Sequence, residues 1–152
     1  MTTKKITIIS NSLIEQFGMK PYKLRVKEKY MSKRQLNHFK KILNSWKEQL
    51  EQEAEKTVNH MQKDSNSLAD PNDRATQESE FGLELRTRDR ERKLIRKIQS
   101  SLIKIDDGTF GYCEETGEEI GLQRLEARPV ASLTLEAQER REITEKQFKD
   151  NR

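Results

Sequence analysis

Residues 32–73 decide the fold, and they read SKRQLNHFKKILNSWKEQLEQEAEKTVNHMQKDSNSLADPND. Between Lys33 and Ser67 this stretch contains neither glycine nor proline. Its apolar residues recur at alternating steps of three and four, at Leu36, Phe39, Leu43, Trp46 and Leu50. Such a repeat is typical of a coiled-coil helix. We therefore expect one helix over residues 33–67, about 50 Å long at about 1.5 Å per residue, with Ser32 and Gln35 as its capping box.

A second helix is expected after a short break, ending near Ile105. Asp70 suits the N-cap, Pro71 the first helical position and Asp73 the negatively charged first turn. The apolar positions of this helix are Ala75, Phe81, Leu85, Leu94, Ile95, Ile98, Leu102 and Ile105. Two long helices with a short connection pack side by side. We therefore predict an antiparallel coiled-coil hairpin over residues 33–107, with its tip at residues 70–75.

The segments on either side of the hairpin lack its long helical repeat. Residues 1–32 are predicted to join a globular region, with a helical turn at Leu13 and Ile14 that ends at Gly18. Four of the six glycines fall between residues 108 and 121. They indicate a loop-rich knuckle, with a short β-hairpin around residues 112–120. A last helix is expected over residues 133–148, so residues 108–152 combine a knuckle and a C-terminal helix.

Composition narrows the class of protein. Of the 152 residues, 32% are hydrophobic and 37% charged, against roughly 45–50% and about 25% in average domains. A chain this charged favours a mainly α, elongated protein with a narrow apolar seam over a doubly wound enzyme. The single Cys113 excludes an intrachain disulfide, and no run approaches the roughly 20 apolar residues of a membrane span. The apolar run at residues 6–9 is too short for a signal peptide, so we expect a cytoplasmic protein.

Two charged stretches admit two interpretations each. Residues 86–93 contain no apolar side chain and hold five basic ones, which suits either a solvated helix face or a site for an anion or partner. The tip acids Asp70 and Asp73 are explained by capping, or they form an acidic finger that reaches a metal ion or a basic channel. The chain shows no nucleophilic triad and no phosphate-binding glycine loop, so we do not expect an enzyme.

Cys113 lies in a segment that looks like a zinc knuckle without its partners. A structural zinc site needs four thiolate or imidazole ligands, usually in pairs two residues apart. At that spacing the first ligand pair would be Cys113 and Thr116, and the second pair would be Thr134 and Ala137. One thiol cannot hold zinc tetrahedrally, so no bound metal is expected.

Five segments, in order, closely resemble the DksA family of bacterial RNA polymerase-binding transcription factors. They are DPNDRA at 70–75, ELRTRDRERKLI at 84–95, FGYCE at 110–114, EIG at 119–121 and RLEARP at 124–129. The likeness runs from about residue 30 to about residue 147. It implies an antiparallel coiled coil on a globular zinc-finger region, followed by a C-terminal helix.

The resemblance also implies a function in the stringent response. The coiled coil enters the secondary channel of RNA polymerase, and its tip acts near the active site. Open promoter complexes are thereby destabilised, with ppGpp as co-regulator and without sequence-specific DNA binding. The family's tip residues fall at Asp70, Asp73 and Ala75. Its ppGpp-binding residues fall at Arg90, Lys93, Leu94, Lys97 and Arg128.

Two departures from the family pattern matter. The four zinc cysteines of the family correspond here to Cys113, Thr116, Thr134 and Ala137, as in the cysteine-poor members that keep the fold without zinc. A further pocket lysine of the family falls at Gln138 here, a departure that would weaken the affinity for ppGpp.

Two other functions stay open from the sequence. One is a transcript-cleavage factor of the Gre type, whose tip acids help polymerase to bind a catalytic metal. The other is a coiled-coil adaptor that dimerises through an exposed seam. A regulator of the DksA type, by contrast, is expected to be a monomer.

Overall fold

The computed structural model describes residues 13–64 and 71–151. Within these ranges the secondary structure is helical, which confirms the predicted fold class. The helices are α1 (Leu13–Gln16), α2 (Lys33–Asp64), α3 (Pro71–Asp107), α4 (Leu122–Ala127) and α5 (Leu135–Asp150). None of these helices is long and apolar enough to cross a membrane.

Helices α2 and α3 form the predicted hairpin. Lys40, near the start of α2, has its Nζ 3.5 Å from Asp106 Oδ1 near the end of α3. His60, near the end of α2, has its Nδ1 3.4 Å from Glu84 Oε1 in the first half of α3. The two helices therefore run antiparallel. The expected end of the first helix at residue 67 and the expected N-cap at Asp70 lie outside the described residues, although α3 begins at Pro71 as predicted.

The seam of α2 largely follows the predicted repeat. Phe39, Leu43 and Leu50 are buried, and Leu36 and Trp46 are half-buried. Ile42 is also fully buried, although the repeat left it out. At its base α2 is flanked by the globular region as well as by α3, so it buries a wider stripe than a two-helix seam requires.

The seam of α3 was predicted partly wrongly. Leu85 is 49% exposed and Ala75 is exposed. One row of buried and half-buried residues repeats at steps of four and three: Gln77, Phe81, Glu84, Arg88, Glu91, Ile95, Ile98, Leu102 and Ile105. The register set by the apolar residues at the base thus places Glu84, rather than Leu85, against α2. The stretch at residues 86–93 is therefore not an entirely solvated face.

The apolar core lies at the base of the hairpin. Beyond Leu50 in α2, and before Ile98 in α3, no described side chain is buried. The buried apolar residues of the described chain are Ile14, Phe39, Ile42, Leu43, Leu50, Ile98, Ile105, Phe110, Cys113, Ile120, Leu125, Leu133 and Ala137. The distal half of the hairpin is thus held by a narrow, partly polar seam.

The capping box of α2 is shifted by one residue. Ser32 Oγ accepts a hydrogen bond from the Gln35 amide at 3.4 Å, as predicted. Gln35 Oε1, however, accepts from the amide of Met31 at 2.7 Å, because the Ser32 amide already donates to the carbonyl of Lys29.

The segment before α2 is fastened at both of its ends. The Tyr22 amide donates to Glu126 Oε1 at 2.7 Å, which ties the segment to α4. Glu28 accepts hydrogen bonds from the Arg25 amide, the Tyr22 hydroxyl and the Ser32 hydroxyl. These bonds, the one from the Arg25 amide above all, lower the pKa of Glu28 to about 2.

The knuckle contains less β-structure than expected. A single antiparallel bridge pairs Tyr112 with Glu119 in place of a β-hairpin. Phe110, Ile120, Leu122, Leu125 and Leu133 are buried or half-buried in this region. Tyr112 is 38% exposed and lies edge-on to Tyr30. Helix α5 begins at Leu135 rather than Leu133, since Thr134 is its N-cap.

Candidate functional site

The acidic tip is set far from the core. Asp73 and Ala75 lie in the first two turns of α3 and are exposed. At about 1.5 Å per residue, Asp73 stands roughly 40 Å along the helix from Ile98, the first buried residue of α3. Asp70 lies outside the described residues. The geometry therefore presents at least one carboxylate at the end of a long, narrow arm.

A basic cavity of about 390 Å³ lies at the base of the hairpin, between α3, the knuckle and α5. Lys97 and Arg128, which are far apart in sequence, both line it, as does Gln138. The acidic residues of its wall are Glu114 and Glu145. The structure thus brings two of the candidate ppGpp residues into one cavity, with the neutral Gln138 beside them.

The other ppGpp candidates lie further along α3. Arg90 and Lys93 line a separate depression of about 520 Å³ with Arg86. Lys93 stands one helical turn from Lys97, so the two depressions follow one another along the helix. Leu94 is half-buried and packs against the core.

Three further basic residues of the cavity were missed from the sequence: Lys104, Arg124 and Arg141. Two of them contact knuckle acids, Lys104 with Glu114 and Arg141 Nη2 with Glu115 Oε1 at 3.0 Å. Helical spacing could have found Lys104, which follows Lys97 by two turns, and Arg124, which precedes Arg128 by one. No local pattern links α5 to this cavity, so Arg141 required the structure.

The middle of α3 carries buried carboxylate atoms. Glu84 Oε2 and Glu91 Oε2 are inaccessible and have no hydrogen-bond partner in the described part of the chain. The other oxygen of Glu84, Oε1, lies 3.4 Å from His60 Nδ1 across the hairpin.

Cys113 is buried between the knuckle and the start of α5. Its sulfur lies 3.9 Å from Thr134 Oγ1, and the Thr134 hydroxyl also accepts a hydrogen bond from the Ala137 amide at 3.2 Å. Burial by itself raises the pKa of the thiol. Hydrogen bonds from the Thr116 hydroxyl and from the amides of Thr134, Thr116 and Glu115 outweigh burial and lower the pKa of Cys113 to about 6.

These side chains do not fit a structural zinc ion. Cys113 supplies one thiolate, whereas Thr116 and Thr134 offer hydroxyls and Ala137 offers no ligand. Across residues 13–64 and 71–151 no group of three or more His, Cys, Asp or Glu side chains is placed to hold a metal. At position 134 the hydroxyl instead contacts the Cys113 sulfur and accepts a hydrogen bond from the Ala137 amide.

Comparison with known proteins places this architecture in a family. Residues 35–105 match the family described as "DnaK suppressor protein DksA, N-terminal domain". Residues 108–142 match the "Prokaryotic dksA/traR C4-type zinc finger", although Cys113 is the chain's single cysteine.

Named relatives and a solved structure agree with this match. The chain is 54% identical to the RNA polymerase-binding transcription factor DksA of Haemophilus influenzae, over 91% of this chain and 95% of that protein. It is 51% identical to the protein of the same name from Escherichia coli K12, over 91% of this chain and 92% of that protein. The structure of transcription factor DksA2 from Pseudomonas aeruginosa matches with a TM-score of 0.72 and 35% identity, over 77% of this chain and 90% of that chain. The chain therefore belongs to the DksA family.

Proposed function

We propose that this protein is a transcription regulator that binds RNA polymerase and, with ppGpp, alters the stability of open promoter complexes. The observation that carries the proposal is the 54% identity, over 95% of its length, to a relative named as an RNA polymerase-binding transcription factor. The antiparallel hairpin with an exposed acidic end supports it. We place the protein in the cytoplasm, where bacterial polymerase works.

The hairpin is the part that enters the secondary channel. Its helices of 32 and 37 residues are about 50 Å long. That length carries Asp70, Asp73 and Ala75 towards the polymerase active site while the base stays outside. The protein acts by favouring one state of the promoter complex over another and performs no chemistry of its own.

The alarmone is held at the base, in a pocket shared with polymerase. Lys97 and Arg128 share one cavity, and Arg90, Lys93 and Leu94 continue along α3 beside it. Guanidinium and ammonium groups form charge-assisted hydrogen bonds to phosphate oxygens, which suits a guanosine carrying two diphosphates. Gln138, which lines the same cavity, adds no charge.

We further propose that the protein belongs to the zinc-independent type. The donor set at residues 113, 116, 134 and 137 supports this, as does the hydrogen bonding of Thr134. Purified protein is expected to hold less than one zinc per chain, and a chelator should leave its melting temperature unchanged. Stoichiometric zinc, with unfolding on chelation, would contradict this part.

We divide the chain into three working units: an N-terminal segment (1–32), the hairpin (33–107) and the knuckle with its C-terminal helix (108–152). The seam of α2 is covered by α3 of the same chain, so a monomer is the expected functional form. Family membership favours the regulator over both the Gre-type cleavage factor and the adaptor. Arrested elongation complexes give the direct comparison, since a Gre-type factor would stimulate transcript cleavage in them.

The test combines binding with a promoter assay. The protein should copurify with RNA polymerase and shorten open-complex lifetime, more so when ppGpp is present. Failure to bind polymerase, or an unchanged lifetime in both conditions, would contradict the proposal.

A further inference from the structure

A second basic cleft, of about 740 Å³, lies between the loop at residues 19–23 and one face of α2. It shares no lining residue with the cavity that contains Lys97 and Arg128. We propose that this cleft binds a ligand carrying two or more phosphate groups. The inference is independent of the polymerase function, because it concerns the isolated chain.

Four cations line the cleft and no carboxylate does: Lys20, Lys23, Arg34 and Lys41. The three lysines are exposed, and none forms an ion pair within the described part of the chain. Neighbouring Lys40, by contrast, is paired with Asp106. The three lysines therefore concentrate positive charge that no carboxylate of the described residues pairs with.

The nearest acids are engaged elsewhere. Glu28 accepts hydrogen bonds from the Arg25 amide and from two hydroxyls, and its contact with Arg34 is long, at 3.8 Å. Glu126 accepts from the Tyr22 amide at 2.7 Å. Neither carboxylate lines the cleft, and their side chains are only 8% and 22% exposed. Glu28 offsets part of the charge of Arg34, so the net positive charge offered to an anion comes mainly from the three lysines.

The floor of the cleft is preorganised. The centres of the Tyr22 and His38 rings lie 5.2 Å apart. Arg34 Cζ lies over the Tyr22 ring, 4.9 Å from its centre. Arg34, His38 and Lys41 follow one another on a single face of α2. His38 Nε2 is inaccessible and makes no hydrogen bond in the described structure, although Glu126 Oε1 lies 3.5 Å away. A rigid helix face thus carries two of the four cations.

The arrangement favours an oligophosphate over a singly charged anion. Several cations spread over an open cleft of this volume can each bond to a different phosphate oxygen, and the volume is that of an ordinary ligand site. The same chemistry comes from two sources, the phosphate chain of a free nucleotide or the backbone of a nucleic acid. Binding of either ligand should weaken as the salt concentration rises, because salt screens the attraction between lysines and phosphates.

The test is an NMR titration of the full chain, following the amides of Asn37 and His38. The probes are inorganic tripolyphosphate and, separately, a short single-stranded oligothymidylate. The Lys23→Gln/Lys41→Gln double variant removes two cleft charges at exposed positions. Lys146→Gln/Lys149→Gln removes the same charge from exposed positions of α5, and Lys97→Gln controls for the other cavity.

In the wild-type protein we expect saturable chemical-shift changes at both amides. Binding to the cleft should be about tenfold weaker in Lys23→Gln/Lys41→Gln. It should be unchanged in Lys146→Gln/Lys149→Gln and in Lys97→Gln. A response to tripolyphosphate alone identifies a free oligophosphate as the ligand. A response to the oligonucleotide alone identifies a nucleic acid backbone. No shift at Asn37 and His38 with either probe, or an equal loss of affinity in the α5 variant, would overturn the proposal.

Discussion

The hydroxyl of Thr134 contacts Cys113 and caps helix α5. Its oxygen lies 3.9 Å from the Cys113 sulfur and accepts a hydrogen bond from the Ala137 amide at 3.2 Å. This side chain joins the knuckle to the first turn of the C-terminal helix, at positions where zinc-binding members of the family carry cysteines. If the protein is of the zinc-independent type proposed above, this hydrogen-bonded cap is the contact that joins the two elements at those positions.

Thr134→Ala should destabilise the knuckle and α5. Loss of an N-cap side chain typically costs about 1 kcal/mol, and the buried sulfur loses a donor as well. We expect a lower urea midpoint than in wild type. Thr144→Ala is the matched control, because the Thr144 hydroxyl bonds only to the carbonyl of Arg140 on an exposed face of the same helix. Equal midpoints for the two variants would refute the capping role.

Cys113 should ionise at unusually low pH. Its pKa is lowered to about 6, because accepted hydrogen bonds outweigh the opposing effect of burial. A pKa depressed in the folded state contributes stability that is complete above the unfolded value near 9 and is lost as pH falls through about 6. The ultraviolet absorbance of the thiolate should therefore rise near pH 6. Cys113→Ser provides the blank, and a transition near pH 9 would contradict the prediction.

Gly111 should resist substitution more strongly than Gly117. Both have positive φ, +91° and +73°, but an added Cβ at Gly111 would stand 2.9 Å from the Met31 side chain, whereas Gly117 faces open space. Gly117→Ala should cost about 1 kcal/mol for the left-handed backbone alone. Gly111→Ala should cost more than Gly117→Ala in urea unfolding, because the Met31 side chain must also move to make room for the added methyl group. Similar losses for the two variants would show that the contact with Met31 is unimportant.

The hairpin could be predicted from sequence because its signals are local. The repeat from Leu36 to Leu50 and the proline at the start of α3 specify two helices and a short connection. The register of α3 could not be predicted in the same way, since Glu84 and Leu85 are adjacent and only packing against α2 selects between them. Apolar character alone favoured Leu85, which is exposed.

The base of the molecule depends on long-range contacts. The cavity containing Lys97 and Arg128 joins three elements, and the segment around Tyr22 is fastened to Glu126, which lies 104 residues away in sequence. The family motifs predicted the candidate ppGpp residues. Only the fold shows that Lys97 and Arg128 share one cavity, whereas Arg90 and Lys93 line another.

Lys97→Glu should abolish the response to ppGpp. The substitution replaces a cation of the basal cavity with an anion that repels phosphate. The ratio of open-complex lifetimes without and with ppGpp should fall to about one. Lys146→Glu makes the same charge change at an exposed position of α5 that does not line the cavity, and should keep the wild-type ratio. An unchanged ratio in Lys97→Glu would exclude the residue from the ppGpp site.

The open-complex lifetime measured with Asp73→Asn tests the central claim most directly. This substitution removes one exposed charge from the first turn of α3 and leaves the base untouched. The variant should compete with the wild-type protein for RNA polymerase at nearly equal concentration, while the lifetime stays at its value without any factor. Full shortening of the lifetime by Asp73→Asn would contradict the assignment of the regulatory tip.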